Sequence, residues 1–179
     1  MTFLAPENSL ILVIDIQEKL VKAVDGQKVS DNASKLLKAA NVLSIPAIIT
    51  EQYPKGLGET MPELKDVANA DFFEKTSFSA LKTPEIFDKI KKSGRKKIIL
   101  CGIETHICVY QTAIELIENG YEVYLLKDVC ASRDAKNSEC AFDLLQSYGI
   151  KISCLEIVLF EWLKSSKHPK FKDVQSLIK

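Results

Sequence analysis

Lys96–Gly120, KKIILCGIETHICVYQTAIELIENG, decides how the chain is read. Ile98 to Cys101 is a short apolar run, the signature of a buried strand. Gly102 frees the backbone for a sharp turn, and Thr105 is placed to cap a helix. Ile107, Tyr110, Ile114 and Ile117 then recur at helical spacing, and Gly120 stands where a helix-terminating glycine belongs. The stretch reads as strand, tight turn, helix, with Cys108 in the first helical turn. A helix N-terminus has unpaired N–H groups and the positive end of the macrodipole. Both favour a thiolate over a thiol, and the same N–H groups suit an oxyanion. The plainer role for Cys108 is that of a small core hydrophobe.

The flanking chain repeats the pattern. Leu10 to Ile14 is a continuous apolar strand closed by Asp15. Val29, Ala33, Leu36, Leu37, Ala40 and Leu43 mark an amphipathic helix, and Ile45 to Thr50 a second strand. Glu51–Pro62, EQYPKGLGETMP, holds two prolines and two glycines and reads as a loop lining a pocket. Asp71 to Glu74 is a short third strand, with Lys75 just past it. Thr83-Pro84 opens a helix carrying Ile86, Phe87 and Ile90, and Gly94 ends it. Beyond the central stretch, Val123 to Leu126 is a fifth strand, Cys140 to Tyr148 a helix, Ile150 to Leu155 a sixth strand. Ile157–Leu163 and Val174–Ile178 complete the helices.

Alternation of this kind predicts an α/β fold: a doubly wound, mostly parallel six-stranded sheet with helices on both faces. Ligands in such sheets bind beyond the strand C-termini, where the strand order reverses. In the order 3-2-1-4-5-6, Asp15, Lys75 and Cys108 all reach that edge. Asp15 would serve as acid–base partner of the thiol, or as a loop cap. Lys75 would be a fixed positive charge beside thiolate and oxyanion, or a solvated surface lysine. Ser132 and Arg133, after the fifth strand, would contact substrate or a neighbouring subunit, or form a loop salt bridge.

Composition narrows the functions. The 179 residues read as a single domain, 1–179, and 46% of them are hydrophobic, enough for a sizeable core. Lys plus Arg number 24 and Asp plus Glu 24, which argues against nucleic acid or an anionic membrane as partner. The five cysteines, at 101, 108, 130, 140 and 154, form no C-x-x-C pair, so free thiols in a reducing compartment are expected. The N-terminal residues lack the features of a signal peptide and no apolar run approaches a membrane span, so a cytoplasmic protein is expected. A nucleotide-dependent dehydrogenase would need G-x-G-x-x-G after the first strand, yet the first glycine after Asp15 is Gly26. A phosphoryl-transfer domain would want a second carboxylate near Asp15 for magnesium, and Ile16-Gln17 offers none. A non-catalytic binding domain of the same fold is the remaining alternative.

Three motifs carry a family resemblance. Asp15-x-Gln17, Glu74-Lys75 with Phe78-Ser79-Ala80, and Gly102-Ile103-Glu104-Thr105-His106-Ile107-Cys108-Val109 resemble the signatures of the isochorismatase-like cysteine hydrolases. The loop Glu51–Gly58 and the tail His168–Lys172 are most similar to the eukaryotic isochorismatase domain-containing proteins. The resemblance implies Cys108 as nucleophile, Asp15 as its acid–base partner and Lys75 as the positive group near both. It implies an oxyanion hole from the backbone N–H groups of Glu104 and Cys108, and a cis peptide between Ile103 and Glu104. The implied reaction is hydrolysis of a C–N bond of a small molecule through a thiol adduct, by a homodimer or larger homo-oligomer. Phe160 and Trp162 are expected to supply contact surface.

Nicotinamidases of the family hold a metal with an aspartate and histidines after the second strand. Here that stretch is Thr50-Glu51-Gln52-Tyr53-Pro54, and the chain has two histidines in all, so neither metal nor other cofactor is expected. His106 is not expected to pair with Cys108, because its helical position turns it away. The helix N-terminus and the Lys75 ammonium are expected to bring the Cys108 thiol to about 7.5 or lower, with Asp15 opposing them. The remaining cysteines are expected to pack.

Overall fold

The computed structural model describes residues 3–179. Six strands form one parallel sheet: β1 (Ser9–Ile14), β2 (Ala47–Gln52), β3 (Ala70–Lys75), β4 (Lys97–Ile103), β5 (Glu122–Ala131) and β6 (Lys151–Ser153). Their order is β3-β2-β1-β4-β5-β6, and every pairing is parallel. All residues of β1 and β4 are buried, as central strands covered on both faces must be. Their apolar runs exist for that reason. The edge strand β3 leaves Asp71 and Phe72 exposed.

The helices are α1 (Glu18–Ala23), α2 (Gln27–Leu43), α3 (Pro54–Leu57), α4 (Pro62–Lys65), α5 (Pro84–Lys92), α6 (Tyr110–Glu118), α7 (Ala135–Ser147), α8 (Leu155–Leu163) and α9 (Phe171–Gln175). Right-handed crossovers in opposite directions put α2 on one face and α5, α6 and α7 on the other. Packing agrees: α8 and α9 lie against α2, and α6 against α7. Side chains fix two entries. Asp134 accepts the Lys136 N–H at 2.9 Å at the start of α7, and Asp128 accepts the Leu155 N–H at 2.9 Å at the start of α8.

Several expectations change. The segment 51–62 is not one loop: Glu51 and Gln52 extend β2, and two single-turn helices, α3 and α4, follow. The short helix α1 carries little apolar periodicity, with Val21 its one fully buried residue. β5 runs on to Ala131, because the register is irregular between Leu100 and Gly102 and pairing resumes at Gly102 with Cys130. Trp162 is buried and donates to Ser9 Oγ at 3.0 Å, so it is core and not contact surface, whereas Phe160 is exposed. Cys140 is exposed and Cys154 half-buried, so only Cys101 and Cys130 of the other cysteines pack fully.

Candidate active site

The C-terminal ends of β1, β3 and β4 bring Asp15, Lys75 and Cys108 together. Asp15 follows the last residue of β1 with φ at 52°, a left-handed turn that swings its carboxylate off the strand path. Lys75 is the final residue of β3 and its side chain is buried. Lys75 Nζ lies 2.6 Å from Asp15 Oδ2, with both side chains fully shielded from solvent. Thr50, at the neighbouring end of β2, donates its hydroxyl to Asp15 Oδ1 at 2.7 Å. The Cys108 thiol lies close enough to the Asp15 carboxylate and the Lys75 ammonium to feel both charges. Cys108 is 6% exposed.

The turn that presents Cys108 differs from an ordinary helix start. Gly102 has φ at 136°, and a β-carbon there would stand 2.0 Å from the Ile14 carbonyl oxygen. Only glycine lets β4 pass so close to β1. The peptide bond between Ile103 and Glu104 is cis, as the resemblance implied. Thr105–Val109 then forms one wide π turn before α6, so Cys108 lies in that turn and not in the first turn of an α-helix. Thr105 is not the cap: it is fully buried, and its hydroxyl accepts from Ser138 Oγ at 3.2 Å.

Electrostatics also depart from expectation. The Cys108 thiol is not lowered. Burial pushes it up to about 12, the Asp15 charge adds to that, and the Lys75 ammonium only partly opposes them. Burial likewise raises the Asp15 carboxyl, against the charge of Lys75 and the hydrogen bonds from Lys75 and Thr50. Both partners of the pair are therefore reluctant to ionise together, the behaviour of two groups sharing one proton. The desolvation cost of a buried thiolate, with the Asp15 charge added to it, outweighs the pull of the Lys75 ammonium.

The surroundings assign the other residues. His106 Nδ1 is 2.8 Å from Ser132 Oγ, so the imidazole faces the β5–α7 connection and not the thiol. The Arg133 N–H donates to Glu104 Oε2 at 3.0 Å, with its guanidinium at 3.8 Å. Ser132 and Arg133 thus brace the turn before Cys108, which the extended β5 makes possible. Gln17 had no assigned role. It is wholly buried and donates to the carbonyls of Gln52 at 3.1 Å and Gly58 at 2.6 Å. A cavity of about 370 Å³ beside Lys75 is lined by Tyr53, Pro54, Lys55 and Ser77, so the first half of segment 51–62 does face a pocket. A larger cavity of about 610 Å³, lined by Pro46, Asn69, Lys92 and Arg95, opens at the opposite, N-terminal end of the strands and is remote from this chemistry. Among the described residues no group of three or more His, Cys, Asp or Glu side chains is arranged to hold a metal ion.

The isochorismatase domain family model matches residues 9–157. The chain belongs to the isochorismatase family. Isochorismatase domain-containing protein 2 of Xenopus laevis is 40% identical over 177 residues, covering 98% of this chain and 85% of that protein. The solved structure described as MAR1 ribonuclease from Caenorhabditis elegans superposes with a TM-score of 0.94 at 39% identity, covering 99% of this chain and 92% of that one. YcaC from Escherichia coli, described as an octameric hydrolase of unknown specificity, gives a TM-score of 0.89 at 22% identity over 99% and 95% of the two chains, a likeness of fold. Family membership makes a hydrolase the coarse expectation. Among the described residues no helix is long and apolar enough to cross a membrane.

Proposed function

We propose that this isochorismatase-family protein is a cysteine-dependent hydrolase that cleaves a C–N bond of a small amide. The observation that carries the reading is the fully shielded pair of the Asp15 carboxylate and the Lys75 ammonium at 2.6 Å, beside the buried Cys108 thiol whose ionisation both of them influence. At rest the proton stays on sulfur and Asp15 pairs with Lys75. As Sγ attacks the amide carbon, Asp15 takes the thiol proton, so the thiolate never has to persist beside a carboxylate. The resulting oxyanion is held by the backbone N–H groups of Glu104 and Cys108. Asp15 returns its proton to the leaving nitrogen, the C–N bond breaks, and an acyl thioester remains. Water then attacks the thioester carbon; Asp15 takes one water proton and returns it to sulfur, releasing the carboxylic acid. The donor set calls for no metal and no organic cofactor.

RNA is the competing substrate class, since the C. elegans neighbour is described as a ribonuclease. Balanced charge and a nucleophile this shielded favour a small molecule. The free thiols support a cytoplasmic setting. A homo-oligomer is part of the proposal, supported by the octameric YcaC neighbour and by exposed Phe3, Ile157 and Phe160 around one apolar cavity. The test is release of ammonia or amine from a panel of small amides, run beside a labelled RNA. The reading requires amide turnover that Cys108→Ser and Asp15→Asn each abolish. RNA cleavage with no amide turnover would overturn it.

A further inference from the structure

We infer that Gln52 is a positioning residue for the Lys75 ammonium, held by the buried Gln17 amide, and that its neutrality reserves the ammonium's charge for Asp15. The inference rests on the reading of Asp15, Lys75 and Cys108 given above. A lysine ammonium has three protons to donate. Four acceptors surround Lys75 Nζ: Asp15 Oδ2 at 2.6 Å, Gln52 Oε1 at 2.7 Å, and the carbonyls of Phe78 at 3.2 Å and Ser77 at 3.3 Å. The two short bonds go to side chains. Gln52 therefore fixes the direction of one proton and, through the tetrahedral nitrogen, the direction of the proton that meets Asp15.

The Gln52 amide can point only one way. Its Nε2 donates to the Thr76 carbonyl at 2.7 Å. The flipped amide would set an NH2 against the ammonium and an oxygen against a carbonyl. Its backbone is held as firmly: Gln17 Oε1 accepts the Gln52 N–H at 2.7 Å, and Gln17 Nε2 donates to the Gln52 carbonyl at 3.1 Å. A continuous line of hydrogen bonds thus runs from Gln17 through Gln52 and Lys75 to Asp15.

Charge explains why an amide stands there. Among the described residues Asp15 is the one carboxylate within ion-pair distance of Lys75. A glutamate at position 52 would be a second, on the same nitrogen. It would divide the ammonium's stabilisation and set another negative charge near Asp15 and Cys108, raising both. An apolar residue would remove one of the two short bonds and leave two of the ammonium protons to the longer contacts with the Phe78 and Ser77 carbonyls.

Two measurements read this without turnover. The Asp15 carboxyl is titrated by 13C NMR in the wild-type protein and in Gln52→Glu. Exchange of the Lys75 ammonium protons is followed by 15N NMR in the wild type and in Gln52→Met. The Asp15 midpoint should rise by about one pH unit or more in Gln52→Glu, and exchange should quicken at least about tenfold in Gln52→Met. An Asp15 midpoint that is unchanged or lower, or exchange within about twofold of wild type, overturns the inference. Should Gln52→Glu not fold, Gln52→Met decides. If these shifts appear while Cys108 never acts on amides, the hydrolase reading falls and the positioning role of Gln52 stands.

Discussion

At Gly102 a methyl group would stand 2.0 Å from the Ile14 carbonyl oxygen, with the backbone held at a φ of 136°. Neither strand can yield, since both are central to the sheet. Gly102→Ala should cost at least about 4 kcal/mol in urea unfolding; a loss below about 1 kcal/mol would mean that β1 and β4 can separate there. The buried ion pair has its own signature. Lys75→Met leaves the Asp15 carboxyl without its cation and should destabilise by about 3–5 kcal/mol near neutral pH. Because the unpaired Asp15 is then raised further, that loss should shrink as pH falls and the carboxyl protonates. Equal losses at pH 7 and pH 5 would contradict this account. Asp15, Lys75 and Cys108 could be placed together from the sequence because each closes or follows a strand of a parallel sheet, Asp15 and Cys108 after apolar runs and Lys75 after the short edge strand. Thr50, Gln17 and Gln52 were not, because a hydroxyl or amide at a strand end looks like any loop residue until its partners are known. The thiol's direction of shift was misjudged for a related reason: burial is a property of the folded surroundings.

At the scale of elements, the segment after β2 shows what composition misses. Its prolines and glycines signal an irregular path, but Gln17 ties that path down, and Thr60 adds a short antiparallel bridge to Gln17. Glu51 Oε1 accepts both the backbone N–H and the hydroxyl of Thr60 at 2.7 Å. Gln17→Ala removes three hydrogen bonds at once while the remainder of the segment keeps its ties. Amide hydrogen exchange over residues 52–60 should therefore rise by at least about tenfold, with the strands β4 and β5 unaffected. Unchanged exchange in that segment would show that Gln17 is not its anchor. The π turn was likewise hidden. Ile107, Tyr110, Ile114 and Ile117 satisfy helical spacing whether the first turn is wide or regular, so periodicity located the helix and not its entry.

Over the whole molecule, the parallel sheet was readable because its central strands must be apolar on both faces. The last residues of β5 were not, because the irregular pairing with β4 lies in the backbone and not in the residue types. The buried thiols set an alkaline limit on stability. Cys108 and Cys130 are each raised from 9.0 to about 12, and Cys101 is raised as well. Well below pH 9 all three keep their protons in both folded and unfolded chains and contribute little slope. Above pH 9 the unfolded chain releases protons that the native state retains, so stability falls as pH rises. Cys108→Ser should remove up to about 1.4 kcal/mol per pH unit of that fall above pH 9, as read from unfolding midpoints between pH 8 and 10.5. An alkaline slope identical to wild type would contradict the raised thiol.

If Asp15, Lys75 and Cys108 act as one proton-transfer unit, the rate of Cys108 alkylation by iodoacetamide against pH will show it. Peptide mapping separates the five cysteines, with exposed Cys140 as the internal reference. In the wild type Cys108 should be slower than Cys140 at neutral pH. In Asp15→Asn the repelling carboxylate is gone and the ammonium remains, so Cys108 should react at least about tenfold faster at pH 7, although amide turnover is lost. Lys75→Met should slow it further. A Cys108 rate indifferent to both substitutions would contradict the account.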